Sequence, residues 1–171
     1  MGGRAELLVP RARVRPGAAV IEVPQAAIDL AKRFEGFHRV PKVDPGRAHP
    51  YICPAGYWTI GFGHLCDPAH PPITEAEAEI YLARDLETAL YATMRYCSVL
   101  ATESERRLAA IVDFTFNLGA GRLQTSTLRR RINQQDWPSA ARELRRWVYG
   151  GGIVLPGLVA RRTVEAELMC S

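Results

Sequence analysis

The stretch Tyr51-Ile-Cys-Pro-Ala-Gly-Tyr-Trp-Thr-Ile-Gly-Phe-Gly-His64 limits the fold more than any other part of the chain. Pro54-Ala55-Gly56 has the composition of a tight turn, because proline fixes one φ and glycine admits the positive φ a reversal needs. Strand formers flank it, Tyr51-Ile52 before and Tyr57-Trp58-Thr59-Ile60 after. Successive strand side chains point to opposite faces. Trp58, Ile60 and Phe62 are therefore expected to face a core, and Tyr57 and Thr59 the other side. Across the turn, that second face carries the Cys53 thiol. Gly61 and Gly63 leave room for something large against the backbone. The ribbon reads as one wall of a cleft.

The other wall is sought upstream, at Phe34-Glu35-Gly36-Phe37. Residues 24–34 carry Ala27, Ile28, Ala31 and Phe34 at helical spacing, with Pro24 at the start and Gly36 at the stop. Glu35 is then the last helical residue, beside unsatisfied carbonyls that disfavour an anion. Phe34 and Phe37 are placed to shield its carboxyl from water. These are surroundings suited to a general acid.

Glu35-Gly36, followed by Tyr51-x-Cys53-x-x-Gly56-x-x-Thr59-Ile60-Gly61-x-Gly63-His64, resembles the phage-type lysozymes, the muramidase endolysins. The likeness continues in order through Ile73-Thr74-x-x-Glu77-Ala78-Glu79, Phe116-Asn117-Leu118-Gly119, the run from Gly150 to Leu158, and Arg161-Arg162. It covers roughly residues 25 to 168. It implies an α+β, mostly helical, two-lobe fold with a small β-ribbon lobe. It also implies hydrolysis of the β-1,4 bond between N-acetylmuramic acid and N-acetylglucosamine in peptidoglycan. The catalytic trio implied is Glu35, Cys53 and Thr59, with Asn117 near the cleft and a salt bridge between His64 and Asp85. Tyr57, on the same ribbon, is a candidate sugar contact. A lytic transglycosylase acting on the same bond, or a non-catalytic peptidoglycan-binding module, is the alternative.

One departure from the family pattern matters. The family usually places its second catalytic residue nine positions after the Glu, whereas Cys53 follows Glu35 by eighteen, so the segment between Phe37 and Pro50 carries an insertion of nine. Asp44 stands at the usual count. It lies in Pro41-Lys-Val-Asp-Pro-Gly-Arg47, where Asp-Pro-Gly is ordinary turn chemistry. Cys53 keeps the local context six residues before Thr59 and is preferred, with Asp44 as runner-up.

The 171 residues suffice for one domain or two small lobes, and the formal net charge of +4 suits an anionic polymer without naming one. Residues 1–23 read as an extension, with Arg11, Arg13 and Arg15 as a basic arm or a loose tail. They contain no apolar run of signal-peptide or membrane-span length. The family resemblance implies synthesis in the host cytoplasm, release through a separate holin pore and action on the wall from the periplasm, and a monomer is expected. Residues 24–171 would form the lysozyme domain: a small lobe over about 36–72, a linking helix over about 74–97 and a helical lobe over about 98–171.

Cys53, Cys66, Cys97 and Cys170 lack metal or disulfide spacing, and no histidine pattern suggests a metal, so no cofactor is expected. Cys66 and Cys97 read as small apolar fillers. Thr74-x-x-Glu77 is a capping box opening a helix over about 75–96. Helical spacing continues over 103–116, 125–133, 137–148 and 156–169, and the arginine runs there, Arg161-Arg162 included, read as solvated faces. Gly150-Gly-Gly152 reads as a flexible loop at the lobe edge or a substrate-contacting loop. The aromatics are not interleaved with the basic runs, which argues against nucleic acid.

Overall fold

The computed structural model describes residues 21–38, 40–53 and 56–171. Most of the extension, including Arg11, Arg13 and Arg15, and the Pro54-Ala55 half of the turn lie outside the described residues. The first helix, α1 (Gln25–Glu35), runs from Pro24 at its N-cap and stops at Gly36, whose φ of 68° is open to glycine and strained for other residues. Its buried stripe is Ala27, Leu30 and Ala31, while Phe34 is only half-buried.

Five short strands follow: β1 (Arg47–Ala48), β2 (Tyr51–Ile52), β3 (Trp58–Ile60), β4 (His64–Leu65) and β5 (Ile73–Thr74). The strands β2, β3 and β4 form an antiparallel sheet with β3 in the middle, and β1 pairs antiparallel with β5. The reversal between β2 and β3 closes with the Gly56 N–H donating to the Cys53 carbonyl at 2.8 Å, and Gly56 has φ 87°. Ile60 and Phe62 are buried as expected, but Trp58 is 38% exposed. Trp58 pairs across the sheet with Ile52, itself exposed, so among the described residues the outward end of that face has nothing over it. Thr59, expected on the open side, is buried, because that side is the inside of the cleft described below.

Helix α2 (Glu75–Tyr96) begins at the capping box: the Glu77 N–H donates to the Thr74 hydroxyl, and the Thr74 N–H to the Glu77 carboxylate at 2.8 Å. It passes beneath the sheet. An added Cβ on Gly61 would lie 2.7 Å from the Ala78 Cβ, so the close approach of ribbon and helix requires glycine there. A 3-10 turn over Ser98–Thr102 leads to α3 (Glu105–Leu118), which carries Leu108, Ala109, Ala110, Ile111, Val112 and Phe114 into the core. Helix α3 is central, packing on α1, α2 and the last helix. It continues past Asn117 to a C-cap at Gly119.

The remaining elements are α4 (Ala120–Thr125), α5 (Thr127–Asn133), α6 (Trp137–Leu144), the hairpin β6 (Tyr149–Gly150) with β7 (Ile153–Val154), and α7 (Pro156–Cys170). Helix α4 and the hairpin were not expected; the glycines of the supposed flexible loop form the hairpin's reversal, with Gly151 and Gly152 at positive φ. Trp147 meets Phe114 edge-on at 5.5 Å. Cys97 is fully buried, and burial pushes its thiol up to about 12; Cys66 is half-buried and also raised, by burial and then by Asp67.

Hydrogen bonds to Thr74 hold the Glu77 carboxyl below its ordinary value. The folded state thus prefers the carboxylate. The stabilisation is fully present above the unfolded value of about 4.3 and is lost as pH falls through the lower folded one. Glu77→Ala is expected to melt below the parent at pH 6, with the gap closing toward pH 3, as followed by circular dichroism.

Candidate active site

A cleft of about 1140 Å³ opens between the end of α1 and the ribbon, and it is bordered by Glu35, Cys53 and Thr59 together. Each gets there by a different local cause. Glu35 is delivered by the stop of α1. Thr59 sits directly opposite Tyr51 in the β2–β3 ladder, so their side chains share a face, and its hydroxyl donates to the Tyr51 carbonyl at 3.4 Å. Cys53 is two residues beyond Tyr51 on that face, fixed by its N–H donating to the Tyr57 carbonyl at 2.9 Å.

The Glu35 carboxyl is held from behind. Arg161 on α7 donates from Nη1 to Glu35 Oε1 at 2.6 Å, and its Nε and Nη2 grip both oxygens of Asp113 on α3 at 2.8 and 2.7 Å. Such a two-pronged clamp fixes the guanidinium plane. Burial alone would favour the neutral guanidine. The Asp113 hydrogen bonds and charge, with Glu35 beyond them, more than offset this and raise the Arg161 value above the ordinary one. The other Glu35 oxygen, Oε2, faces the ribbon, 3.5 Å from where a Cβ on Gly63 would lie.

Behind Arg161 the charges continue. Arg162 is fully buried, donates to Asn117 Oδ1 at 2.8 Å, and lies 3.0 Å from Glu165 Oε1. Burial pushes the Glu165 carboxyl well above the carboxylate range, with the Arg162 cation opposing, and lowers Arg162. Neither Glu165 oxygen has a hydrogen bond of good geometry among the described residues. The expectation that Arg161-Arg162 forms a solvated face is therefore overturned.

The other sequence candidates are dispersed. Asn117 is turned to Arg162, inside α3 rather than at its cap, and does not border the cleft. Tyr57 is exposed and likewise outside the lining. Asp44 pairs with His49, Nε2 to Oδ2 2.9 Å, and only His49 of the two reaches the cleft. His64 Nδ1 lies 2.8 Å from Asp85 Oδ2, and its ring stacks on Tyr81 at 4.6 Å. Among the described residues, no cluster of His, Cys, Asp and Glu is arranged for a metal.

Residues 32–165 match the family model for phage lysozyme. The chain belongs to the phage lysozyme family. It is accordingly a glycosidase of the lysozyme kind, an endolysin acting on peptidoglycan. A SAR-endolysin of bacteriophage PS34 is 40% identical over 124 residues, 71% of this chain and 73% of the relative. Among solved structures, the muramidase domain of SpmX from Asticaccaulis excentricus superposes with a TM-score of 0.74 at 26% identity, covering 88% of this chain and 98% of that one. An endolysin from Escherichia coli O157:H7 phage FAHEc1 gives 0.72 at 26% identity, covering 88% and 94%. These likenesses establish the α+β lysozyme fold.

The buried pairing of Arg161 with Asp113 and Glu35 is not among the roles expected from the sequence. The available signal was Asp113 itself, an acid among the apolar positions of α3, since a buried charge needs a partner. Arg161→Ala would leave Asp113 buried without its counter-charge. A loss of roughly 3–5 kcal/mol is expected, read as a lower urea midpoint.

Proposed function

We propose that this lysozyme cleaves the bond between N-acetylmuramic acid and N-acetylglucosamine with Glu35 as general acid, Cys53 as the group that positions or activates water, and Thr59 as an orienting hydroxyl. The observation that carries the reading is that these three residues, separated in sequence, border one cleft. The Glu35 carboxyl also has one oxygen held by Arg161 and the other turned toward the ribbon. In this scheme Glu35 Oε2 gives its proton to the leaving glycosidic oxygen as the anomeric carbon gains positive character. The Arg161 cation then stabilises the carboxylate that remains. Water adds at the anomeric carbon from the side of Cys53 and Thr59, and its proton returns to the enzyme or to solvent.

Cys53 is preferred to Asp44 as the second residue because it borders the cleft, whereas the Asp44 carboxylate is engaged by His49. Bordering the cleft beside Thr59, Cys53 is assigned chiefly to positioning water. In the same reading residues 24–171 are the lysozyme domain, working as a monomer. The enzyme is made in the host cytoplasm and delivered to the wall by a holin.

The decisive measurement is mass spectrometry of fragments released from purified peptidoglycan. Reducing-end muramic acid is expected; anhydro-muramic acid would mean a transglycosylase and would remove the roles given to Cys53 and Thr59. Glu35→Gln should lower the rate by about 10²–10⁴-fold, the usual contribution of a general acid. Cys53→Asp should retain activity, and Asp44→Asn should retain far more than Glu35→Gln. Lysis in an expression host should require a co-expressed holin.

A further inference from the structure

The segment between Phe37 and Pro50 is longer than the family pattern, and the extra chain builds a wall of the cleft. His38, Val40, Pro41, His49 and Pro50 all border it. The wall is tethered. The Asp44 N–H donates to the Pro41 carbonyl at 3.1 Å, and Ala48 is fully buried in register with Ile73. His49 follows that anchor directly, so its ring position is set by the strand pairing.

Asp44 takes one ring nitrogen of His49, Nε2. An acid on one nitrogen of an imidazole fixes the ring and its tautomer, leaving the other nitrogen to act outward. Among the described residues the second nitrogen, Nδ1, has no protein partner. His49, Tyr51 and Cys53 alternate along the chain and all border the cleft, as one face of an extended segment. Four residues at about 3.3 Å each put His49 about 13 Å along the chain from Cys53. A catalytic proton transfer needs contact near 3 Å or a single bridging water. His49 is too distant to serve Cys53 as a base, and its task is binding.

The charges nearby indicate what it binds. Lys42 and Arg47 are exposed on the same segment and His38 borders the cleft, while the sole acid of the described part of this loop, Asp44, is occupied by His49. A wall with this balance suits an anion. The geometry points to His49, oriented by Asp44, as a binding residue for a carboxylate of the muramic acid substituent, distinct from the group that is cleaved. The inference rests on reading the cleft as the glycan site. The carboxylate is one of the peptide stem, because the lactyl carboxyl of a stem-bearing muramic acid is spent in the amide bond that carries the stem.

The test is binding, so that it does not depend on turnover. A soluble muramyl-peptide tetrasaccharide is titrated calorimetrically into the full chain carrying Glu35→Gln, which serves as the parent, and into the same chain with His49→Ala, His49→Gln or Asp44→Asn added. His49→Ala should weaken Kd roughly tenfold or more, the loss of one hydrogen bond to a charged group. His49→Gln, which keeps a donor, should recover part of it, and Asp44→Asn should fall between. With a chitin tetrasaccharide, which has no carboxylate, parent and His49→Ala should bind equally. Converting the stem carboxylates to amides should abolish the difference between parent and His49→Ala, and a difference that persists would overturn the assignment to the stem. Equal Kd values for parent and His49→Ala on the muramyl-peptide, or an equal loss on chitin, would overturn the proposal. Failure of the unsubstituted chain to release reducing ends would instead strike the catalytic reading while leaving this comparison readable.

Discussion

The clamp that Asp113 places on Arg161 is the interaction on which the rest depends. A guanidinium only 3% exposed is tolerable because both oxygens of a fully buried carboxylate meet it in plane. With two of its nitrogens committed to Asp113, the third has one direction left, and Glu35 stands there. The core of the helical lobe and the orientation of the candidate acid are thus set by the same side chain. Core packing delivers the three helices concerned to one place, since α3 lies against both α1 and α7.

The ribbon is arranged around a second closeness. Gly61 brings the sheet onto α2 at Ala78, and two residues on, Gly63 leaves space in front of Glu35 Oε2. One face of β3 therefore packs down through Ile60, while the other, through Thr59, borders the cleft. Few strands this short would hold alone; the helix beneath and the Ala48–Ile73 pairing hold them in place.

What was legible in the sequence was what local chemistry decides. The Thr74–Glu77 box announced α2 and its start, and Gly36 announced the end of α1. Alternation placed Ile60 correctly and failed for Trp58, because period two says which residues share a face and not how far the covering layer extends. The arginine pair at 161–162 was misread for a related reason: Arg162 with Glu165, three residues on, looks like an ordinary exposed helix pair, and the partners that bury it, Asp113, Asn117 and Glu35, lie on other helices with no local pattern to link them. The family resemblance brought Cys53 forward across an irregular loop, a step that periodicity could not supply. The loop's own contribution, His49 beside Asp44, emerges only once β1 is seen to pair with β5.

Glu35 and the arginine that holds it are separated by 126 positions in the chain. One belongs to the first described helix and the other to the last. A ribosome releases the ribbon and its cleft residues well before α7 emerges, and a nascent chain folds from its beginning. Until α7 docks, the acid lacks its counter-charge and Asp113 has nothing to clamp. The candidate site is thus completed only once α7 has been made, and chains cut short before it lack the part that sets the candidate acid in place.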